Sequence, residues 1–218
     1  MTVTSDARAL FSGRATSYAR FIRAVLYPQG LRAYWLASPL LAPDLRILDA
    51  GCGTGALTLA VRGALVRRRL AARALHGFDL TPAMLDELRR TMDARGIRDV
   101  ALAEADVLHL DALPSDWREY DLVVTASMLE YVPRERFAEA LAGLRARLRD
   151  RGHFVLFITR RNPLMQLLIG RWWESNLYTA AELAAAFGRA GFTRVEFPAF
   201  PVSARYLGLW GHIVQAQR

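Results

Sequence analysis

The chain has 218 residues, 53% of them hydrophobic and 23% charged. That balance supplies enough apolar surface to offset the entropy of ordering, so disorder is excluded as the main state and one large domain is the economical reading. The formal net charge is +8 and every basic residue is arginine; the excess favours anionic partners or surfaces in a general way. A single cysteine, Cys52, excludes an internal disulfide framework and a cysteine-built zinc site. No secretory signal is visible at the start, and no apolar stretch of about 18 residues runs free of charge. The expected setting is therefore cytoplasmic.

Residues 7–43 contain no acid and carry Arg8, Arg14, Arg20, Arg23 and Arg32 among Phe11, Tyr18, Phe21, Val25 and Trp35. This predicts one or two amphipathic helices, broken near Pro28: an N-terminal helical cap over residues 1–43 that lids a pocket or lies peripherally on a membrane. The remaining domain, 44–218, reads differently. LRILDAG suits a buried parallel strand ending in Asp49 and Gly51. Thr54 to about Arg69 reads as a helix, with Leu57, Val61 and Leu65 four apart. ALHGFDL is a second strand ending at Asp79. Thr81 and Pro82 mark the N-cap and first position of a helix that carries Leu85, Leu88 and Met92 and stops at Gly96. DVALAEAD, ending at Asp106, and DLVVTAS are strands three and four. A helix is predicted over Pro133–Asp150, closed by Gly152, and GHFVLFIT is the fifth strand. Thr179 and Glu182 form a capping box for a helix that ends at Gly191. TRVEF and LWGHIVQAQ close the chain as two strands. Such alternation specifies an α/β fold: a doubly wound, mostly parallel sheet, with a C-terminal antiparallel hairpin strand at or near one edge.

The sharpest signal is the run from Ile47 through Asp49, Gly51, Cys52, Gly53 and Gly55. Glycines here let the backbone turn tightly between strand and helix and let a ligand approach closely. Gly51, Gly53 and Ala56 also satisfy the dinucleotide pattern G-x-G-x-x-G/A. Asp49 argues against that reading, because a carboxylate there would repel a pyrophosphate and favour an amine or sulfonium.

LDAGCGTG resembles the first motif of the Rossmann-like (class I) S-adenosylmethionine-dependent methyltransferases. The resemblance extends to Asp79, Asp106, the YDLVVTASMLEYVP strand and loop, and the LRDRGHFVLFI strand. Phe11, Ala15 and Tyr18 resemble a looser signature of the subgroup that includes ubiquinone/menaquinone-biosynthesis enzymes. The resemblance implies a seven-stranded sheet and an enzyme that moves a methyl group to a small organic substrate by in-line SN2 displacement, leaving S-adenosylhomocysteine. It implies cofactor contacts from Tyr18, Asp49, Gly51, Cys52, Gly53, Gly55, Asp79, Leu80, Asp106, Val107 and Ser127. Asp79 would hold the ribose hydroxyls, and Asp106 would lie near the adenine amino group. Methyl donors of this kind are already activated, so positioning can dominate and no catalytic dyad need be displayed.

Glu130 and Tyr131, after strand four, are the candidate catalytic residues. A lid insert at about 160–178 offers Arg160, Arg161, Trp172, Trp173 and Tyr178 for an aromatic, lipid-like or anionic substrate. His76, His109, His153 and His212 are scattered, and no metal site is expected. Nucleic acid is not the expected partner, since the place after strand four reads Thr125-Ala126-Ser127-Met128 and lacks an [N/D]-P-P-[Y/F] loop. Two alternatives accompany the main reading: a phospholipid or quinone-precursor methyltransferase at a membrane surface, and a non-catalytic cofactor-binding partner protein. A nicotinamide oxidoreductase stands behind both.

Overall fold

Strand alternation sorts the apolar side chains onto two faces of one sheet, and helices cover both. The structure, a computed structural model, describes residues 27–165 and 175–218. Its elements in chain order are α1 (Tyr27–Ala37), β1 (Arg46–Ala50), α2 (Ala56–Arg67), β2 (Ala74–Asp79), α3 (Pro82–Ala94), β3 (Ala101–Glu104), β4 (Tyr120–Ala126), α4 (Phe137–Arg147), β5 (Leu148–Thr159), α5 (Ala180–Arg189), β6 (Thr193–Glu196) and β7 (Gly211–Gln217). The seven strands lie in the order β3-β2-β1-β4-β5-β7-β6. β1 to β5 are mutually parallel, and β7 runs antiparallel to both β5 and β6. The last strand thus inserts between β5 and β6, and β6 takes the edge.

Leu48, Val123, Phe154 and Leu156 point to one face, where Phe137, Leu141 and Leu144 of α4 and Leu183 and Phe187 of α5 cover them. Ile47, Leu122, Val124, Val155 and Phe157 point to the other, under α1, α2 and α3. Burial on both faces is why these strands read as unbroken apolar runs. On α2, Leu57, Val61 and Leu65 are all buried, as their spacing predicts.

The chain differs from the sequence expectation in three places. Residues 1–43 read as a cap; 1–26 of them lie outside the described residues, and the described helix α1 packs into the core. Trp35 is fully buried, and the Tyr34 ring meets Phe157 of β5 edge-on at 5.0 Å. The helix expected over Pro133–Asp150 begins as a 3-10 turn at Arg134–Arg136 and stops at Arg147, because Leu148 turns inward to pair with Tyr120. Thr81 is the N-cap of α3, but its side chain makes no cap bond; Pro82 alone pre-sets the first turn. The capping box at Thr179 forms as expected. Its backbone N–H donates to Glu182 Oε2 at 2.7 Å, and Glu182 N–H returns a bond to Thr179 Oγ1.

Candidate active site

β1 delivers the chain into a loop, Gly51–Gly55, above the carboxyl ends of the strands. The N–H groups of Gly51 and Cys52 both donate to the Phe78 carbonyl, at 2.8 and 2.9 Å, and pin the loop to β2. Glycine is required at two positions. Gly51 has φ +71°, and a Cβ there would stand 2.2 Å from Met128 Cγ; Gly55 has φ +90°, and its Cβ would stand 2.3 Å from Leu88 Cδ1. A side chain would thus meet both backbone strain and a filled neighbour.

The loop, the turn after β2, the segment after β3 and the loop after β4 enclose a cleft of about 1090 Å³ of empty space, counted out to its open mouth. Of the sequence-predicted residues, Gly51, Cys52, Gly53, Asp79, Leu80, Asp106, Val107, Ser127 and Tyr131 line it. Asp79 is the best-defined group. Its Oδ2 accepts the Gly53 N–H at 2.8 Å and its Oδ1 accepts the Thr81 N–H at 2.9 Å. Each oxygen keeps a second lone pair for a ligand hydroxyl. Burial raises the Asp79 carboxyl pKa, and these backbone donors offset only part of that rise. Asp106 is held in the same manner, accepting the Leu108 N–H at 2.9 Å. Ser127 sits at φ +52° and its hydroxyl donates to Tyr27 Oη at 3.3 Å. Cys52 is buried, and burial pushes its thiol well up, so it fills space and is not a nucleophile.

Several expected contacts are not in the cleft. Asp49 is fully buried beneath the loop, not open to a ligand. Thr58 Oγ1 donates to its Oδ2 at 2.5 Å, Oδ1 has no partner, and burial, with the nearby Asp79 charge adding to it, pushes the carboxyl up to about 7. Gly55 stands behind the cleft wall, where Leu88 covers it. Glu130 is a lining candidate that turns away. Its carboxylate is buried, and its two oxygens accept the Thr159 N–H at 3.0 Å and the Thr159 hydroxyl at 3.1 Å. It ties the loop after β4 to the end of β5 and cannot reach a substrate from there.

Tyr178 is buried as well, stacked on Phe137 at 4.5 Å with the Arg134 guanidinium over its ring. Arg160 lies beside His212, and Arg161 is paired with Glu182 at 3.2 Å. None of the three lines the cleft. Trp172 and Trp173, and Tyr18 at the other end, lie outside the described residues. Met128, a substrate-contact candidate from the loop after strand four, lines it too; sequence reasoning missed Tyr27, Met84, Val132 and Pro133, which also do. Only the position of Val132 and Pro133 soon after strand four could have found any of these.

Residues 47–152 match the profile of a family described as a methyltransferase domain. This stretch belongs to the methyltransferase-domain family, of the class I S-adenosylmethionine-dependent kind. A malonyl-[acyl-carrier protein] O-methyltransferase of Geobacter sulfurreducens is 33% identical over 170 residues, 69% of this chain and 57% of that protein. The aklanonic acid methyltransferase DauC of a Streptomyces species is 27% identical over 123 residues, 56% of this chain and 52% of that protein. This methyltransferase chain spans less than two thirds of the length of these relatives. In fold it matches the magnesium protoporphyrin IX methyltransferase ChlM from Synechocystis with bound S-adenosylmethionine, at TM-score 0.67 and 18% identity, covering 100% of this chain and 98% of that one.

The family's methyl donor is S-adenosylmethionine, and the cleft fits it. A Cβ at Gly53 would project to within 4.0 Å of Asp79 Oδ2, into space a ligand needs, and glycine leaves that space open. Asp79 offers two oxygens to a vicinal diol. Leu80 and Val107 supply apolar wall, and Asp106 supplies a carboxylate for an amino group. Among the described residues no group of acids, histidines and cysteine is arranged to hold a metal ion.

Proposed function

We propose that the protein methylates a small organic acceptor in this cleft, using S-adenosylmethionine. The observation that carries the reading is Asp79, whose carboxylate is fixed by Gly53 and Thr81 at the mouth of the glycine loop with acceptor capacity to spare. The donor, when bound, supplies an activated methyl group on a sulfonium. The chain's own work is positioning, which can supply roughly 7–11 kcal/mol of a barrier. Asp79 and the loop backbone orient the donor. Tyr27, Met84, Met128 and Val132 form a largely apolar wall that keeps water out. With Glu130 occupied by Thr159, the hydroxyls of Tyr27, Ser127 and Tyr131 are protic groups that the described residues offer on the acceptor side. Tyr131 is the residue we assign to orient the acceptor.

The acceptor we infer is aromatic, lipid-like or anionic. The relatives named for malonyl-[acyl-carrier protein] and aklanonic acid make acids the first compounds to screen. A cytoplasmic setting belongs to the same reading, as does peripheral membrane contact through the basic stretch 1–43. The test is S-adenosylhomocysteine formation from S-adenosylmethionine across a panel of organic acids, aromatic alcohols and lipids. Acceptor-dependent turnover, lost in Asp79→Ala, is expected. Tight product binding with no turnover on any class would indicate a non-catalytic cofactor-binding protein instead.

A further inference from the structure

A second concavity lies on the outer face of α2, between α1 and the turn that follows α3. It encloses about 790 Å³ of empty space, counted out to its mouth. Four arginines line it: Arg32 from α1, Arg62 and Arg67 from α2, and Arg95 from the turn. Arg62 is committed to Asp99 at 2.7 Å. The side chains of Arg32, Arg67 and Arg95 make no ion pair or hydrogen bond among the described residues. The acids of the adjoining turn are already neutralised, Asp99 by Arg62 and Asp93 by Arg98. Among the described residues three guanidinium groups therefore face one groove without a counter-charge, while Arg89 and Arg90 of α3 and Arg136 just before α4 each pair with an acid three residues away.

The floor of the groove is apolar. Leu59 lines it, and Gly63 leaves open space where a side chain would stand. Leu36, which lines it, is 40% exposed, and Val66, next to the lining Arg67 in the chain, is 58% exposed. A free phosphate ion would use the arginines and leave these side chains in water. An amphiphile would use both, its phosphate against the guanidinium forks and its apolar portion against Leu36 and Val66.

We propose that this groove binds the phosphate headgroup of an anionic phospholipid and seats the protein on a membrane surface by α1 and α2. The site is separate from the methyl-transfer cleft and does not depend on how that cleft is read. It is also separate from Arg8, Arg14, Arg20 and Arg23, which lie before the described residues.

The test is co-sedimentation of the full chain with vesicles of phosphatidylcholine, with and without phosphatidylglycerol, at low salt. Two variants of equal net charge are compared. One is Arg32→Gln with Arg67→Gln and Arg95→Gln. The other removes three exposed arginines elsewhere, Arg118→Gln with Arg189→Gln and Arg194→Gln. Each basic residue near an anionic membrane surface strengthens partitioning several-fold. The groove variant should therefore bind phosphatidylglycerol vesicles about tenfold or more weakly, and the control should stay near wild type. The single change Arg95→Glu, on an exposed turn, should reproduce the loss without any question of folding. Equal losses in both triple variants would show general charge attraction and overturn the proposal. So would no loss in the groove variant, which assigns the contact to the N-terminal arginines. Binding of a short single-stranded RNA without binding of the vesicles would overturn it too.

Discussion

Glu130 gives a stability test with a definite sign. Its carboxyl is buried and held by Thr159 alone, and burial pushes it from an ordinary 4.5 up to about 7. The folded protein therefore binds this proton more tightly than the unfolded chain does. Stability from this group is fully present below pH 4.5 and is lost as the pH rises through about 7. At 1.36 kcal/mol per unit, that span amounts to about 3 kcal/mol. Glu130→Gln should remove the dependence. The amide oxygen still accepts the Thr159 N–H, and the amide N–H donates to the Thr159 hydroxyl, which can accept as well as donate. Urea unfolding of both proteins from about pH 5 to about pH 8 measures the difference, with Asp49 contributing a parallel slope to each. The variant should be as stable as wild type or more so at the alkaline end, and less stable at the acid end. Identical pH profiles, or a variant that is crippled at pH 8, would refute the account of Glu130 as a costly buried acid.

Other perturbations read other parts of the fold. Gly55→Ala forces an alanine into φ +90° with its Cβ 2.3 Å from Leu88, and should cost about 2–4 kcal/mol in urea unfolding. Thr179→Ala removes one half of a complete capping box and should cost about 1 kcal/mol by the same measurement, with no effect on ligand binding. The raised pKa and burial of Cys52 predict that iodoacetamide labels it slowly in the native protein at neutral pH and rapidly in urea, as followed by mass spectrometry.

The fold was legible because a sheet covered on both faces writes itself as apolar strands alternating with amphipathic helices, and because Gly51, Gly53 and Gly55 have few substitutes at a strand-to-helix turn. The acids at strand ends were legible as a set but not in their individual orientations. Asp79 and Asp106 open to the cleft. Asp49, one residue inside the end of β1, is turned under the loop to Thr58. No pattern in the sequence pairs Asp49 with Thr58 or Glu130 with Thr159; those partnerships are made by strand register and loop closure, which are long-range. The arginines after β5 show the same limit. Arg161 faces Glu182 of α5, 21 residues on in the chain, so an apparent anion clamp is a structural ion pair. The stretch 1–43 read as a cap because its arginines are interleaved with apolar residues, while in α1, its described helix, Trp35 and Leu31 pack into the core.

The central claim is that Asp79 and the glycine loop hold S-adenosylmethionine. Calorimetric titration of the protein with S-adenosylhomocysteine, beside NADH, tests it most directly. Two hydrogen bonds from ligand hydroxyls to a carboxylate are worth about 1.5–3 kcal/mol each. Wild type should therefore bind the homocysteine product and ignore NADH. Asp79→Ala should bind at least about a hundredfold more weakly, and Asp79→Asn, which still offers one acceptor oxygen to the loop, should fall between them. Undiminished binding in Asp79→Ala, or NADH binding in place of the product, would contradict the assignment of the site.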